Sequence, residues 1–219
     1  MKRRELFTGT GQTSASVCRP GVHRMANLIP NALFRTEDSK EVRFYDDIIK
    51  GKQVMVMMMY ANCETFCPAA TKRMVEIHHQ HLAHRMGKDL SIVNISLKPE
   101  EDDPAALEDY AHTHGAMLPG WTFLTGSRYD VDTLRYSFFS HDHIGIDIDE
   151  DLHAGSLKII NDSTGRWVRA DAFASTRTLL DHIQWTDPPR SLAQRLQDNR
   201  KLQEQIRREI AIYGYRKIA

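Results

Sequence analysis

Apolar positions in this chain gather into short runs set between polar turns. Residues 54–60, Val-Met-Val-Met-Met-Met-Tyr, are one unbroken apolar run, the length and continuity of a strand buried on both faces. Residues 90–97 predict a second strand, and 121–124 a short third ended by Thr125-Gly126. Helical patterns lie between and after them at 69–86, 104–114 and 131–139; Pro104 opens the second and Gly115 stops it. Ahead of the sheet, residues 32–35 and 41–44 alternate around Asp38-Ser39-Lys40 and predict a small hairpin. A second hairpin is predicted from 157–160 and 167–169, which flank the turn from Asn161 to Gly165. A last short helix spans 176–183, before Pro188-Pro189. No internal repeat is visible, and strands alternating with helices describe an α/β sandwich.

Beyond that sandwich the period changes. Leu192, Leu196, Asn199, Leu202, Ile206, Ile210 and Tyr213 recur at three- and four-residue steps among charged and amide residues, predicting one amphipathic helix over 191–213 of about six turns. Two readings stand: a tail packed on its own domain, favoured because Asn199 interrupts the apolar set, or a homodimer seam. The division is therefore 1–26 as an N-terminal extension, 27–186 as the main domain and 187–219 as a helical extension.

The 219 residues hold 29 Lys+Arg and 29 Asp+Glu, a balance that argues against a nucleic-acid partner. No segment approaches the roughly 18 apolar residues of a membrane span, so no membrane anchor is seen. Met1-Lys2-Arg3-Arg4 resembles the twin arginine of some export signals, but residues 8–24 are rich in Thr, Ser, Gly and Gln where a signal needs an apolar stretch. The three cysteines are too few for a disulfide framework.

Two of those cysteines carry the chemistry. Cys63-Glu64-Thr65-Phe66-Cys67-Pro68 follows directly on the apolar run, at a strand-to-helix junction where Pro68 suits a first helical turn. The i, i+4 spacing brings both sulfurs to one side if the junction is helical. A helix N-terminus favours the thiolate, the form that binds soft metals or attacks disulfides.

These residues, together with three later segments, resemble the Sco/SenC copper chaperones that assist cytochrome oxidase assembly. The likeness spans roughly residues 31–183. Besides the two cysteines and Pro68, it rests on Ser96-Leu97-Lys98-Pro99-Glu100-Glu101-Asp102-Asp103-Pro104 with Leu107 and Tyr110, on residues 121–126, and on His153 followed by a strand and the turn 162–165. Glu64 replaces the family's proline, Lys98 an aspartate and Leu152 an acidic residue. The resemblance implies a thioredoxin-like fold, here with an N-terminal hairpin and a C-terminal amphipathic helix. It also implies one copper ion, Cu(I) or Cu(II), held by Cys63, Cys67 and His153 and delivered to a copper-receiving metalloprotein such as an oxidase subunit. Such a chaperone is not an enzyme. The alternative is a thiol-disulfide oxidoreductase in which Cys63 and Cys67 reduce cysteines of a copper-site partner. The spacer of three residues favours metal, since dithiol oxidoreductases use two. The family points to a periplasmic, membrane-facing address; the missing signal points to the cytoplasm.

Other sulfurs and imidazoles compete for attention. His78, His79, His81 and His84 crowd one predicted helix; they read as a solvated face rather than an auxiliary copper or zinc site, since no acid or thiol completes a set. His112/His114 and His141/His143 are treated likewise. Met55, Met57, Met58 and Met59 read as core filler on a buried strand. Tyr60 packs over the site or merely ends the strand, and Cys18, near His23, reads as a free thiol in the extension.

Overall fold

The computed structural model describes residues 25–139, 155–189 and 191–213. His153, Leu152, the pair His141 and His143, and Cys18 with His23 lie outside the described residues.

Strand β3 (Gln53–Met59) is buried at all seven positions, as its unbroken apolar run predicts. It lies at the heart of a seven-stranded sheet formed with β1 (Leu33–Thr36), β2 (Glu41–Arg43), β4 (Leu90–Ser96), β5 (Trp121–Gly126), β6 (Ser156–Asn161) and β7 (Arg166–Asp171). The order is β2-β1-β5-β4-β3-β6-β7. β3, β4 and β5 run parallel, while β6 pairs antiparallel with β3 through Met57 opposite Leu157. Both predicted hairpins are present, β1–β2 turning at Ser39 with φ 64° and β6–β7 at Gly165 with φ 65°.

Parallel neighbours need crossover helices, supplied by α1 (Phe66–Ile77) and α2 (Pro104–Thr113). Asp103 caps α2 by accepting from the Ala106 N–H at 2.8 Å, and Pro104 stands at its start. α3 (Arg128–Phe139) and α4 (Thr176–Thr186) complete the domain, with Ser175 capping α4. Alternation along β3 divides the core: Met55, Met57 and Met59 pack with α1, α2 and α4, whereas Val54, Val56 and Met58 pack with α3 and a π-helical turn at Phe44–Ile49. The methionines are core, as expected.

Two features depart from the sequence reading. The predicted helix 69–86 loses its α geometry after Ile77 and passes into a π-helical turn at His78–Leu82. His78, one α-helical turn beyond the buried Met74 and at the very start of the π-helical turn, faces inward at 4 % exposure, while His79, His81 and His84 stay exposed. His78 is thus a core residue and not part of a solvated face; burial, with His79 beside it, pushes its imidazole pKa down.

The second departure concerns α5 (Leu192–Tyr213), which forms as predicted. Its start is a capping box, the Gln194 N–H donating to Ser191 Oγ at 3.2 Å while the Ser191 N–H donates to Gln194 Oε1 at 2.8 Å. Its apolar stripe is not packed on the domain: Leu196 is 51 % exposed, Leu202 56 % and Ile206 42 %. No helix among the described residues is long and apolar enough to cross a membrane.

Candidate metal centre

The chain leaves β3 at Met59, turns through a hydrogen bond from the Cys63 N–H to the Tyr60 carbonyl, and enters α1 at Phe66. Thr65 holds the N-cap position but makes no side-chain cap, so the first-turn N–H groups look elsewhere for an acceptor. The Cys67 N–H finds it in Cys63 Sγ at 3.3 Å. A sulfur therefore does what a serine or aspartate oxygen usually does at a helix start, and the positive end of the helix faces it. Both thiols are free and nearly enclosed, Cys63 at 7 % and Cys67 at 2 % exposure.

Their acidities diverge. Burial pushes the Cys63 thiol up, but hydrogen bonds from the backbone of Cys67 and Thr65 and from the side chains of Cys67 and Tyr60 outweigh it, leaving the pKa below the ordinary thiol value. Cys67 has the opposite balance. Burial, reinforced by the charge of Cys63 and then of Asp102, pushes its thiol up to about 12. The pair thus holds one proton on Cys67 beside a thiolate-prone Cys63.

Asp102 supports this loop from below. Its carboxylate, 1 % exposed, accepts from the Ala61 N–H at 3.1 Å and from the Ser96 hydroxyl. Burial raises its pKa, against those two hydrogen bonds. It ties the cysteine segment to the end of β4, a role the sequence did not disclose: Asp102 and Asp103 are adjacent acids before Pro104, and only the fold shows that one caps α2 while the other turns inward. Lys98 Nζ lies 4.4 Å from the centroid of the Tyr60 ring, so the residue that replaces an aspartate sets a cation and an aromatic side by side at the end of β3. On the other side, the buried Tyr110 hydroxyl bonds Thr71 Oγ1 at 2.9 Å, and the cysteine charges help burial to raise its pKa. Arg73 fastens α1 to the turn after β7 by donating to the Ala172 and Ala174 carbonyls.

Phe66, between the cysteines, is 52 % exposed and lines an open cavity of about 510 Å³ with Gly155, Arg169, Asp171, Phe173 and His182. Gly155 follows His153 by two residues and leads into β6, whose first residues lie at the same end of the sheet as the exit of β3. Among the described residues, no three His, Cys, Asp or Glu side chains converge as a metal site; the structure brings Cys63 and Cys67 together, and His153 is not among the described residues.

The SCO1/SenC family model matches residues 26–185. The chain belongs to this family. Among curated SCO1/SenC relatives, the SCO1 protein homolog of Bacillus subtilis is 31 % identical over 107 residues, covering 48 % of this chain and 53 % of that one, so the match spans about half the relative's length. Solved Sco structures share the fold. BsSco, described as a member of the Sco family of cytochrome c oxidase assembly proteins with a disulfide switch, superposes with TM-score 0.56 at 21 % identity, covering 71 % of this chain and 90 % of that one. Yeast Sco1 with copper bound gives 0.53 at 17 % identity, covering 71 % and 92 %. The thioredoxin-like architecture of the Sco fold is thus the one seen here, and α5 lies beyond the matched residues.

Proposed function

We propose that this chain is a copper chaperone that takes one copper ion through the sulfurs of Cys63 and Cys67 and the imidazole of His153. It passes that ion to a partner metalloprotein, the copper centre of an oxidase subunit, in a compartment facing the membrane from outside the cytoplasm. The observation that carries the reading is the pair of free thiols at the start of α1, with the Cys67 N–H on Cys63 Sγ at 3.3 Å. Soft sulfur suits Cu(I), and imidazole helps accommodate Cu(II). Yeast Sco1 with bound copper supports the cargo, and BsSco's place among cytochrome c oxidase assembly proteins supports the recipient. The position of Gly155 on the Phe66 cavity supports His153 as third ligand.

In this reading Cys63 receives the ion first, because its thiol ionises more readily. Cys67 then releases its proton to solvent as its sulfur binds, while Asp102 keeps the loop in register through Ala61. Handover is ligand exchange, thiolates of the recipient replacing those of this chain one at a time.

The test is anaerobic Cu(I) titration of the reduced protein against a competing chelator, alongside His153→Ala and Cys63→Ser/Cys67→Ser. One tight equivalent, lost in the cysteine variant and weakened in the histidine variant, is expected; binding indifferent to the cysteines would overturn the proposal. The unequal acidities favour a second reading. Cys63 thiolate attacks a partner disulfide and expels one partner thiolate; Cys67 then attacks the mixed disulfide, closing Cys63–Cys67 and freeing the second partner thiol. The partner gains two electrons and this chain loses them. Catalytic turnover of a disulfide substrate by metal-free protein, with an added reductant, distinguishes it.

A further inference from the structure

Helix α5 begins after the last residue of the family match, and its stripe stands in water although nothing in the copper chemistry needs it. Twenty-two residues make a rod of about 33 Å. A solitary amphipathic helix in water gains no support from packing, so the exposed Leu196, Leu202 and Ile206 call for a cover.

The sequence of the stripe says what cover fits. Leu196, Asn199, Gln203, Ile206 and Ile210 follow steps of three, four, three and four, the a and d positions of a coiled coil. Two amides thus sit midway, with aliphatic residues on both sides. A bilayer surface would strip water from those amides and give them no partner, at a cost. A copy of the same helix would not. When two such helices run antiparallel about a dyad near residue 201, Leu196 meets Ile206 of the second copy, and Asn199 meets Gln203 of the second copy. Every layer then matches apolar with apolar and amide with amide.

Leu202 chooses the direction. It lies one place off the seam, so in a parallel pair it would stand against Arg207 of the second copy. In an antiparallel pair it stands beside Leu202 of the second copy and closes the centre. We propose that α5 is a self-association surface, pairing antiparallel with α5 of a second copy to make a dimer of chaperone domains.

Sedimentation of the full chain across a range of concentrations tests it. A concentration-dependent dimer is expected, with Leu202→Glu/Ile206→Glu reduced to monomer. Both substitutions fall on exposed positions, and an unchanged near-ultraviolet spectrum with two reactive site thiols shows that the domain has kept its fold. Direction is read by mixing the single variants Leu196→Cys and Ile206→Cys under mild oxidation and mapping the linked peptides: a link from 196 to 206 is expected. A full chain monomeric at all concentrations, a dimer that survives the double glutamate variant, or self-linked 196 and 206 peptides in place of the mixed link would each overturn the proposal. So would a monomer that binds anionic vesicles through α5, which would make the helix a membrane-surface element. None of these outcomes depends on copper.

Discussion

At the N-terminal end of β3, Gln53 is 2 % exposed and all of its amide is in use. Its Nε2 donates to the Ile183 carbonyl at 2.8 Å and to Thr186 Oγ1 at 2.6 Å, and its Oε1 accepts from Arg85 at 2.7 Å. Arg85 in turn pairs with Asp187 at 2.9 Å. At the C-terminal end, six residues further along the same strand and just beyond it, the buried polar groups include two thiols and the Asp102 carboxylate with its Ser96 hydroxyl. There Cys63 Sγ accepts from the backbone of Cys67, at 3.3 Å, and of Thr65, and from the side chains of Cys67 and Tyr60, and its neighbour holds a proton that a bound cation would displace. One end pairs amide, guanidinium and carboxylate with one another and so is scaffold; the other gathers weak donors on a thiolate-prone sulfur, which an incoming soft cation can replace. Burial alone does not separate the two ends. The kind of atom buried does.

Changes at each end should therefore fail differently. The largest effect is expected from Cys63→Ser/Cys67→Ser, which should abolish tight Cu(I) binding in a chelator competition while thermal unfolding stays cooperative. Arg85→Ala should do the converse: leaving Gln53 Oε1 and Asp187 without their cation costs about 2–3 kcal/mol in urea unfolding, with copper affinity unchanged. A loss of copper affinity in that variant would erase the distinction. Asp102→Ala lies between, because it frees the loop without removing a ligand; copper affinity should fall about tenfold, as for groups that orient ligands, while Asp102→Asn, which retains one acceptor oxygen, should recover part of it.

Smaller effects sharpen the contrast between the two thiols. Alkylation at pH 7 should label Cys63 before Cys67, and labelling of Cys63 should persist to lower pH than for an ordinary thiol, read by peptide mass after timed quenching. The pH dependence of stability should carry the mark of Cys67. Its folded pKa of about 12 exceeds the reference of 9.0, so between these values the folded state holds the extra proton. Stability from this group is then full below about pH 9 and declines as pH rises toward 12, with a slope of at most about 1.4 kcal/mol per pH unit. The difference in unfolding free energy between the parent and Cys67→Ala, followed through that window, isolates it; a flat difference would mean the two thiols are alike.

Much of this was legible in the chain. A seven-residue apolar strand followed by two cysteines and a proline predicts the buried strand, the helix start and the thiol pair, because each follows from a local rule: continuity of burial, a ring that tolerates a missing N–H, a spacing of four. The hairpins and α5 were legible for the same reason. What escaped was set by phase and by neighbours. Four histidines in seven residues look alike until Met74 and Ile77 show that His78 alone shares their buried face, and two adjacent aspartates look alike until a helix claims one of them. The facing of the α5 stripe escaped as well, since periodicity tells which side of a helix is apolar but not what lies opposite.

The methionines of β3 have a further consequence. Met55, Met57, Met58 and Met59 fill both faces of the sheet just short of the thiols. Thioether side chains are unbranched and hop readily among shapes of similar energy, whereas a run of valine and isoleucine would resist any shift of the strand. A thiol pair proposed to take a metal in two oxidation states of differing geometry is thus mounted on a compliant footing, a spring built from sulfur and methylene.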